Sequence, residues 1–271
     1  MRTQEVSNDL SFQIAEDPDI WSTMMESDKD SSVRAELAPT GILRAAINLS
    51  NFLLVSDKSS SGEPIGVSPD MARAVADRLG VPVEYVLYET PGALADTALD
   101  DVWDIGNLGA EPERAKTISF TAAYAEIEAT YLVPEGSQIR SVNEVDRDGI
   151  RISVSGRSAY GLWLADHIEH AQLVKVDGVE ASFDAFTHDG LEALAGLRPR
   201  LIKDVERLRG ARILDGQFTA VQQAIGTKRD RPLAAAFLRE FVEEVKASGL
   251  VQELIDRHGV EGQLTVASKS E

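Results

Sequence analysis

The residues with the clearest chemical potential lie in one stretch, residues 101–131, DVWDIGNLGAEPERAKTISFTAAYAEIEATY. Asp104 to Leu108, next to Trp103, is a short apolar run that predicts a buried strand. Its end, Asn107, Leu108 and Gly109, passes into a loop of small residues where a ligand can approach the backbone closely. Pro112 lies just inside an expected helical turn, with Glu111 and Glu113 where a helix start favours negative charge. Arg114 follows on that turn. A guanidinium presents a planar fork that grips a carboxylate through two parallel charge-assisted hydrogen bonds. Strand, small-residue loop and arginine together make a candidate carboxylate clamp.

A second candidate is SGRSAYGLWLADHIEH, from Ser155 to His170. A strand is expected to run through Ser155 and Gly156 into a helix beginning near Ser158. A helix start carries free backbone N–H groups and attracts anions, and Arg157 adds full positive charge beside it. The plainer alternative is an N-cap by Ser158 with a solvated Arg157. The anion-site reading is preferred because Arg114 already points to carboxylate binding. No serine stands at a recognisable nucleophile–base spacing and there is no GxSxG, so no catalytic residue is assigned. His167 and His170 share a helix face, but no third ligand is near, and they read as a solvated helix end. With no cysteine, thiolate sites are excluded; neither metal nor cofactor is expected.

The string WDIG…PERAKTISFTAAY resembles the motif of the type 2 solute-binding proteins that serve ABC transporters, in the branch binding polar amino acids. Order and spacing hold along the whole string, and weaker similarity runs from about Leu43 to Gly259. The resemblance implies a two-lobed α/β fold, each lobe a mostly parallel sheet flanked by helices, joined by two crossover strands. It assigns Arg114 to the ligand's α-carboxylate and the turn at Ser155, Arg157 and Ser158 to second-lobe contacts. It also starts the pocket just after the first strand, at Asn48 and Phe52. The implied partners are a small carboxylate ligand and an ABC permease.

Stepping from these residues to the elements that must hold them, Ile42 to Ile47 reads as the first strand and SSSGEPIG as a polar hairpin. Ser68 is expected to cap a helix striped by Met71, Val75, Ala76 and Leu79 and stopped by Gly80. VPVEYVLY is the next strand, and Ala93 to Leu99 a helix leading to the central motif. This β-α-β-α-β order means a parallel sheet covered by helices. Thr130 to Pro134 and Thr219 to Gly226 read as the crossovers, and two amphipathic helices follow from Pro232. The expected division is a polar acidic extension, 1–39, with a short helical piece around Val33 to Leu37. Lobe 1 then takes 40–129 plus 226–262, and lobe 2 takes 133–222.

Between Val176 and Leu201 two registers are open. One puts a strand at Asp184-Ala185, making Asp189 the acid that receives a ligand ammonium in the resembled family. The other runs a helix from Glu180 to His188, stops it at Gly190 and makes LEALAGL the strand, placing Leu197 at that position. The second is preferred because the first leaves no room for a helix. An ordinary α-amino acid then lacks its ammonium partner unless Glu192 serves, and an isolated buried ammonium is costly. A small, even doubly anionic, ligand held by Arg114 and Arg157 fits better.

Lys plus Arg number 27 and Asp plus Glu 45, a formal charge of −18, which argues against nucleic acid and anionic membrane surfaces. No apolar run reaches membrane-spanning length. Met1 to Trp21 lacks a basic start followed by an apolar core, so the periplasm is implied by resemblance alone and the cytoplasm stays open. The leading expectation is a binding protein that closes by hinge motion on a small carboxylate. The alternatives are a dehydratase of the cyclohexadienyl or arogenate type, with Glu192 as its acid, and a cytosolic ligand sensor.

Overall fold

The computed structural model describes residues 30–269. Residues 30–37 form a helix, α1, whose Val33 and Leu37 are buried in the same apolar cluster as strand β1, Leu43–Asn48. Glu36 accepts a hydrogen bond from the Ala234 N–H at 2.8 Å, placing an acid on the first turn of a distant helix. The described end of the 1–39 extension therefore belongs to the core. The expected helical piece at Val33 to Leu37 lies within α1, and its apolar side chains are what anchor it.

A hairpin, β2 (Asp57–Lys58) and β3 (Pro64–Ile65), leads into α2, Val67–Leu79. Gly66, not Ser68, is its N-cap, because the helix already begins at Val67; only glycine fits at 66, where a Cβ would overlap the Leu54 carbonyl. The Ser68 hydroxyl instead pairs with the Tyr124 hydroxyl at 3.1 Å. Gly80 ends the helix in the left-handed region, φ 66°. Then come β4 (Val83–Tyr88), α3 (Pro91–Asp96, capped by Thr90) and β5 (Ile105–Gly109). Strands β4, β1 and β5 are parallel neighbours.

Strand β6 runs unbroken for 16 residues, Ile118–Val133. The first crossover, expected at Thr130 to Pro134, is thus the end of one long strand, with 9 of its residues registered against a single partner later in the chain. Beyond it lie β7 (Arg151–Ser155), α4 (Ala159–His167), β8 (Gln172–Val176), α5 (Val179–His188), β9 (Ala193–Leu197) and α6 (Arg198–Val205). The α5 and β9 boundaries follow the register that ends the helix before Gly190. Strand β10 (Arg212–Ile213) precedes the second crossover, β11 (Thr219–Lys228). Helices α7 (Pro232–Ala247) and α8 (Leu250–Arg257) and strand β12 (Thr265–Val266) complete the described chain.

The sheet order is β4-β1-β5-β11-β6-β9-β7-β8, with β10 and β12 added on β6. Strands β6 and β11 pass through both halves, antiparallel to each other, and shift register on either side of Ala224. Two clusters cover the first half: Ile47, Val75 and Leu238 on one face, and Leu94, Trp103 and Leu108 on the other. Two more cover the second, around Ile152 and Leu164 and around Phe183 and Leu194. Each half is a sheet between helices with its own apolar interior, so the fold is two-lobed.

Candidate functional site

The parallel strands of both halves end at one cleft. Asn48 closes β1, Thr90 follows β4 and Gly109 closes β5; across the gap, Ser155 closes β7, Asp177 follows β8 and Leu197 closes β9. Side chains beyond the carboxyl ends of such strands are free of the ladder and available to a ligand. Between them lies a cavity of about 80 Å³, also walled by Arg114, Arg157, Ser158, Tyr160, Val221 and Gln223. That is small beside the roughly 300–1,000 Å³ of pockets for drug-sized ligands.

Arg114 occupies the floor. It is 5% exposed and makes no ion pair with a carboxylate among the described residues. Its guanidinium donates to the Gly109 carbonyl at 2.8 Å and to the Arg157 carbonyl at 3.0 Å. Burial lowers its pKa to about 10, with Glu111 pulling the other way and Arg157 adding to the fall. A charge that stays ionised but is destabilised by its surroundings is stabilised by an arriving anion. Gly109 is required where it stands: a Cβ there would meet Ala159 Cβ at 2.8 Å, across the cleft. Close by, Glu111 is 9% exposed, and burial pushes its pKa up to about 7 against the opposing pull of Arg114.

Arg157 behaves differently from expectation. Its guanidinium leaves the cavity and donates to Asp96 Oδ1 at 2.5 Å and the Gly92 carbonyl at 3.0 Å, both on the opposite lobe. Its pKa is raised, chiefly by the Asp96 hydrogen bond. It acts as a strap over the cleft. Lys203 makes a second bridge, its Nζ 3.8 Å from the centre of the Phe52 ring. These contacts define a closed arrangement of the lobes.

The structure brings Asn48, Gly109, Arg114, Ser155, Arg157 and Ser158 together at the cavity and keeps four other candidates out of it. Phe52 packs on the first-lobe core and under Lys203. Asn107 is buried in β5 with both side-chain polar atoms unpartnered, and Leu108 points to the other face, against Leu94 and Trp103. Alternation along the strand puts both inside the lobe, short of the strand end where the cleft begins. Glu192 is the largest correction. It precedes β9 and holds the Arg151 guanidinium and backbone N–H at 2.8–2.9 Å, which lowers its pKa. Both residues stand at the amino ends of their strands, about 13–16 Å from the cleft at 3.3 Å per residue. Ser158 does cap α4, accepting from the Gly161 N–H at 3.0 Å and donating to the Ser155 carbonyl at 2.7 Å.

Asn51, in the segment just after β1, also lines the cavity, and sequence reasoning missed Thr90, Asp177 and Gln223. The strand-end rule reaches Thr90 and Asp177 once β4 and β8 are placed. Gln223 lies on the β11 crossover beside the register shift, and no local pattern marks it. His167 stacks on Trp163, ring centres 3.8 Å apart, and no cluster of three potential metal ligands occurs among the described residues. No helix among them is long and apolar enough to cross a membrane.

A model of the bacterial extracellular solute-binding proteins, family 3, matches residues 50–261. No curated protein matches the sequence. Among solved structures, the amino acid ABC transporter substrate-binding protein AbpA of Streptococcus pneumoniae, bound to L-arginine, is 19% identical. Its TM-score is 0.65, with 82% of this chain and 96% of that one covered. A binding component of an ABC transporter from Wolinella succinogenes, complexed with lysine, is also 19% identical, at TM-score 0.66 over 80% and 95% of the two chains. The ancestral amino acid-binding protein AncCDT-1, a precursor of cyclohexadienyl dehydratase, gives 19%, TM-score 0.65, and coverage of 82% and 97%. At these identities the structural likeness bears on the fold.

Proposed function

The chain belongs to the bacterial extracellular solute-binding proteins, family 3, and on that footing we propose that it closes on a small carboxylate-bearing ligand, an amino acid or related organic acid, for delivery to an ABC permease. The observation that carries the reading is Arg114, a nearly buried guanidinium with no carboxylate partner among the described residues, at the floor of the cleft. Opening the cleft breaks the contacts of Arg157 with Asp96 and Gly92, while a bound anion adds contacts that exist only in the closed state. A ligand with such differential contacts shifts the equilibrium toward closure, which a permease can read as occupancy. The moving bodies under this reading are lobe 1, 40–129 plus 226–262 joined by α1, and lobe 2, 133–222. Arginine and lysine, the ligands of the two transporter components, belong in the first test panel.

Binding rather than catalysis fits this cleft. The acid on which a dehydratase would depend, Glu192, is tied to Arg151 outside the cavity. The test is a thermal-shift screen of amino acids, oxo acids, dicarboxylates and prephenate against the wild type and Arg114→Ala. A ligand that binds only the native state raises Tm with dose. The reading expects carboxylate hits that vanish in the variant; hits of equal size in both proteins would overturn it, and turnover of prephenate would favour the enzyme.

A further inference from the structure

The polar groups of the cavity wall differ sharply in what they have left to offer. Several of its neutral acceptors are already engaged within the protein. Asn48 Oδ1 accepts from the Ser50 N–H at 3.1 Å and from the Ser50 hydroxyl at 2.8 Å. Asn51 Oδ1 accepts from the Leu53 N–H at 3.1 Å, and Thr90 Oγ1 from the Ala93 N–H at 3.1 Å. The Gly109 carbonyl takes the Arg114 guanidinium. Because backbone N–H groups hold the two asparagine oxygens, the orientation of each amide is fixed and its NH₂ is the group left without a partner among the described residues. The first-turn N–H groups of α4 and the remaining N–H groups of Arg114 add further donors.

One carboxylate touches the cavity, Asp177. It is exposed, follows the outermost strand of the second lobe, and its charge acts on Arg157 rather than lying against Arg114. Leu197 and Val221 make the deeper wall apolar. Gln223, 4% exposed, adds a neutral amide to the wall. An ammonium brings three donors and a full charge, and burying it among neutral groups, next to a guanidinium with no carboxylate ion pair among the described residues, is unfavourable.

We infer that the ligand is a small oxo or hydroxy acid without an ammonium group, its carboxylate on Arg114 and its second oxygen function facing the free amide and backbone donors. This rests on the carboxylate reading above and narrows it. The free amide, guanidinium and backbone donors of the wall favour acceptors among the ligand's remaining polar atoms. A cavity of about 80 Å³ favours a compact ligand.

Calorimetric titration with matched pairs tests the assignment: pyruvate and lactate against L-alanine, and oxaloacetate and malate against L-aspartate, on the wild type and Asp177→Asn. At least one oxo or hydroxy acid should bind ten times or more tighter than its amino counterpart. Asp177→Asn should leave that order intact and tighten the acid, since it removes the one negative charge on the wall. Equal or tighter binding of the amino acid would overturn the inference while leaving the carboxylate reading in place. So would amino acid binding that Asp177→Asn weakens tenfold. Silence from every compound would also overturn the inference, while arginine or lysine binding that is lost in Arg114→Ala would leave the carboxylate reading in place, so the two failures are separable.

Discussion

Arg114 and Arg157 lie on opposite sides of one cleft and are bridged by a single hydrogen bond, yet the two regions they anchor do different work. Arg114, 5% exposed, sits on the floor, where its hydrogen bonds among the described residues go to backbone carbonyls and its nearest acid, Glu111, makes no ion pair with it. Arg157 lies on the rim, its side chain 54% exposed, paired with an Asp96 side chain that is 61% exposed. An unpaired buried cation is a demand for an anion, whereas a solvated ion pair is a weak clasp whose value depends on the lobes being closed. Residue type alone does not separate a binding group from a strap; burial and partner do.

The largest expected effect breaks the floor. Arg114→Ala should cost 100-fold or more in carboxylate affinity, consistent with about 3 kcal/mol for a charge-assisted pair, measured by calorimetry. Next comes the approach of the lobes. Gly109→Val places branched carbon where even a Cβ meets Ala159 at 2.8 Å, so it should wedge the cleft open. Small-angle scattering should then show a larger radius of gyration at saturating ligand than in the wild type, with affinity reduced about tenfold or more.

A third prediction concerns pH. Glu111 has its pKa raised from 4.5 to about 7 by burial, so the native state holds its proton more firmly than the unfolded chain. Its contribution is fully present below about pH 4.5 and is lost as pH rises through 7. Glu111→Gln should match the wild type at pH 4 and exceed it at pH 8 by on the order of 1–3 kcal/mol in urea unfolding. The smallest effect belongs to the rim. Arg157→Ala or Asp96→Asn should weaken binding only two- to fivefold, in line with an exposed pair worth under about 1 kcal/mol. A loss as large as that of Arg114→Ala would erase the distinction between floor and rim.

How much of this was readable in the residues follows the range of the interactions. The order of strands and helices, the Gly80 stop and the long string around Arg114 are local patterns, and they led to the fold and to the floor of the site. The rim was not readable, because Arg157 meets Asp96 across 61 positions of sequence. Its placement beside the ligand came from the chemistry of a helix start rather than from knowledge of what lay opposite. Glu192 differs for a directional reason: it lies in the expected LEALAGL segment but at the end away from the cleft. Asn107 and Leu108 failed for a related one, since pleating turned them into the two faces of the lobe just before the strand ended.

The central claim is that Arg114 is the carboxylate receptor of a cleft that closes around the ligand. A crystal structure of the protein with the tightest-binding carboxylate from the screen tests it most directly. The account predicts both carboxylate oxygens at about 3 Å from Arg114 guanidinium nitrogens, with Arg157 still clasping Asp96 outside. A ligand seated in the cleft with its carboxylate elsewhere, and Arg114 still bound only to the Gly109 and Arg157 carbonyls, would contradict it.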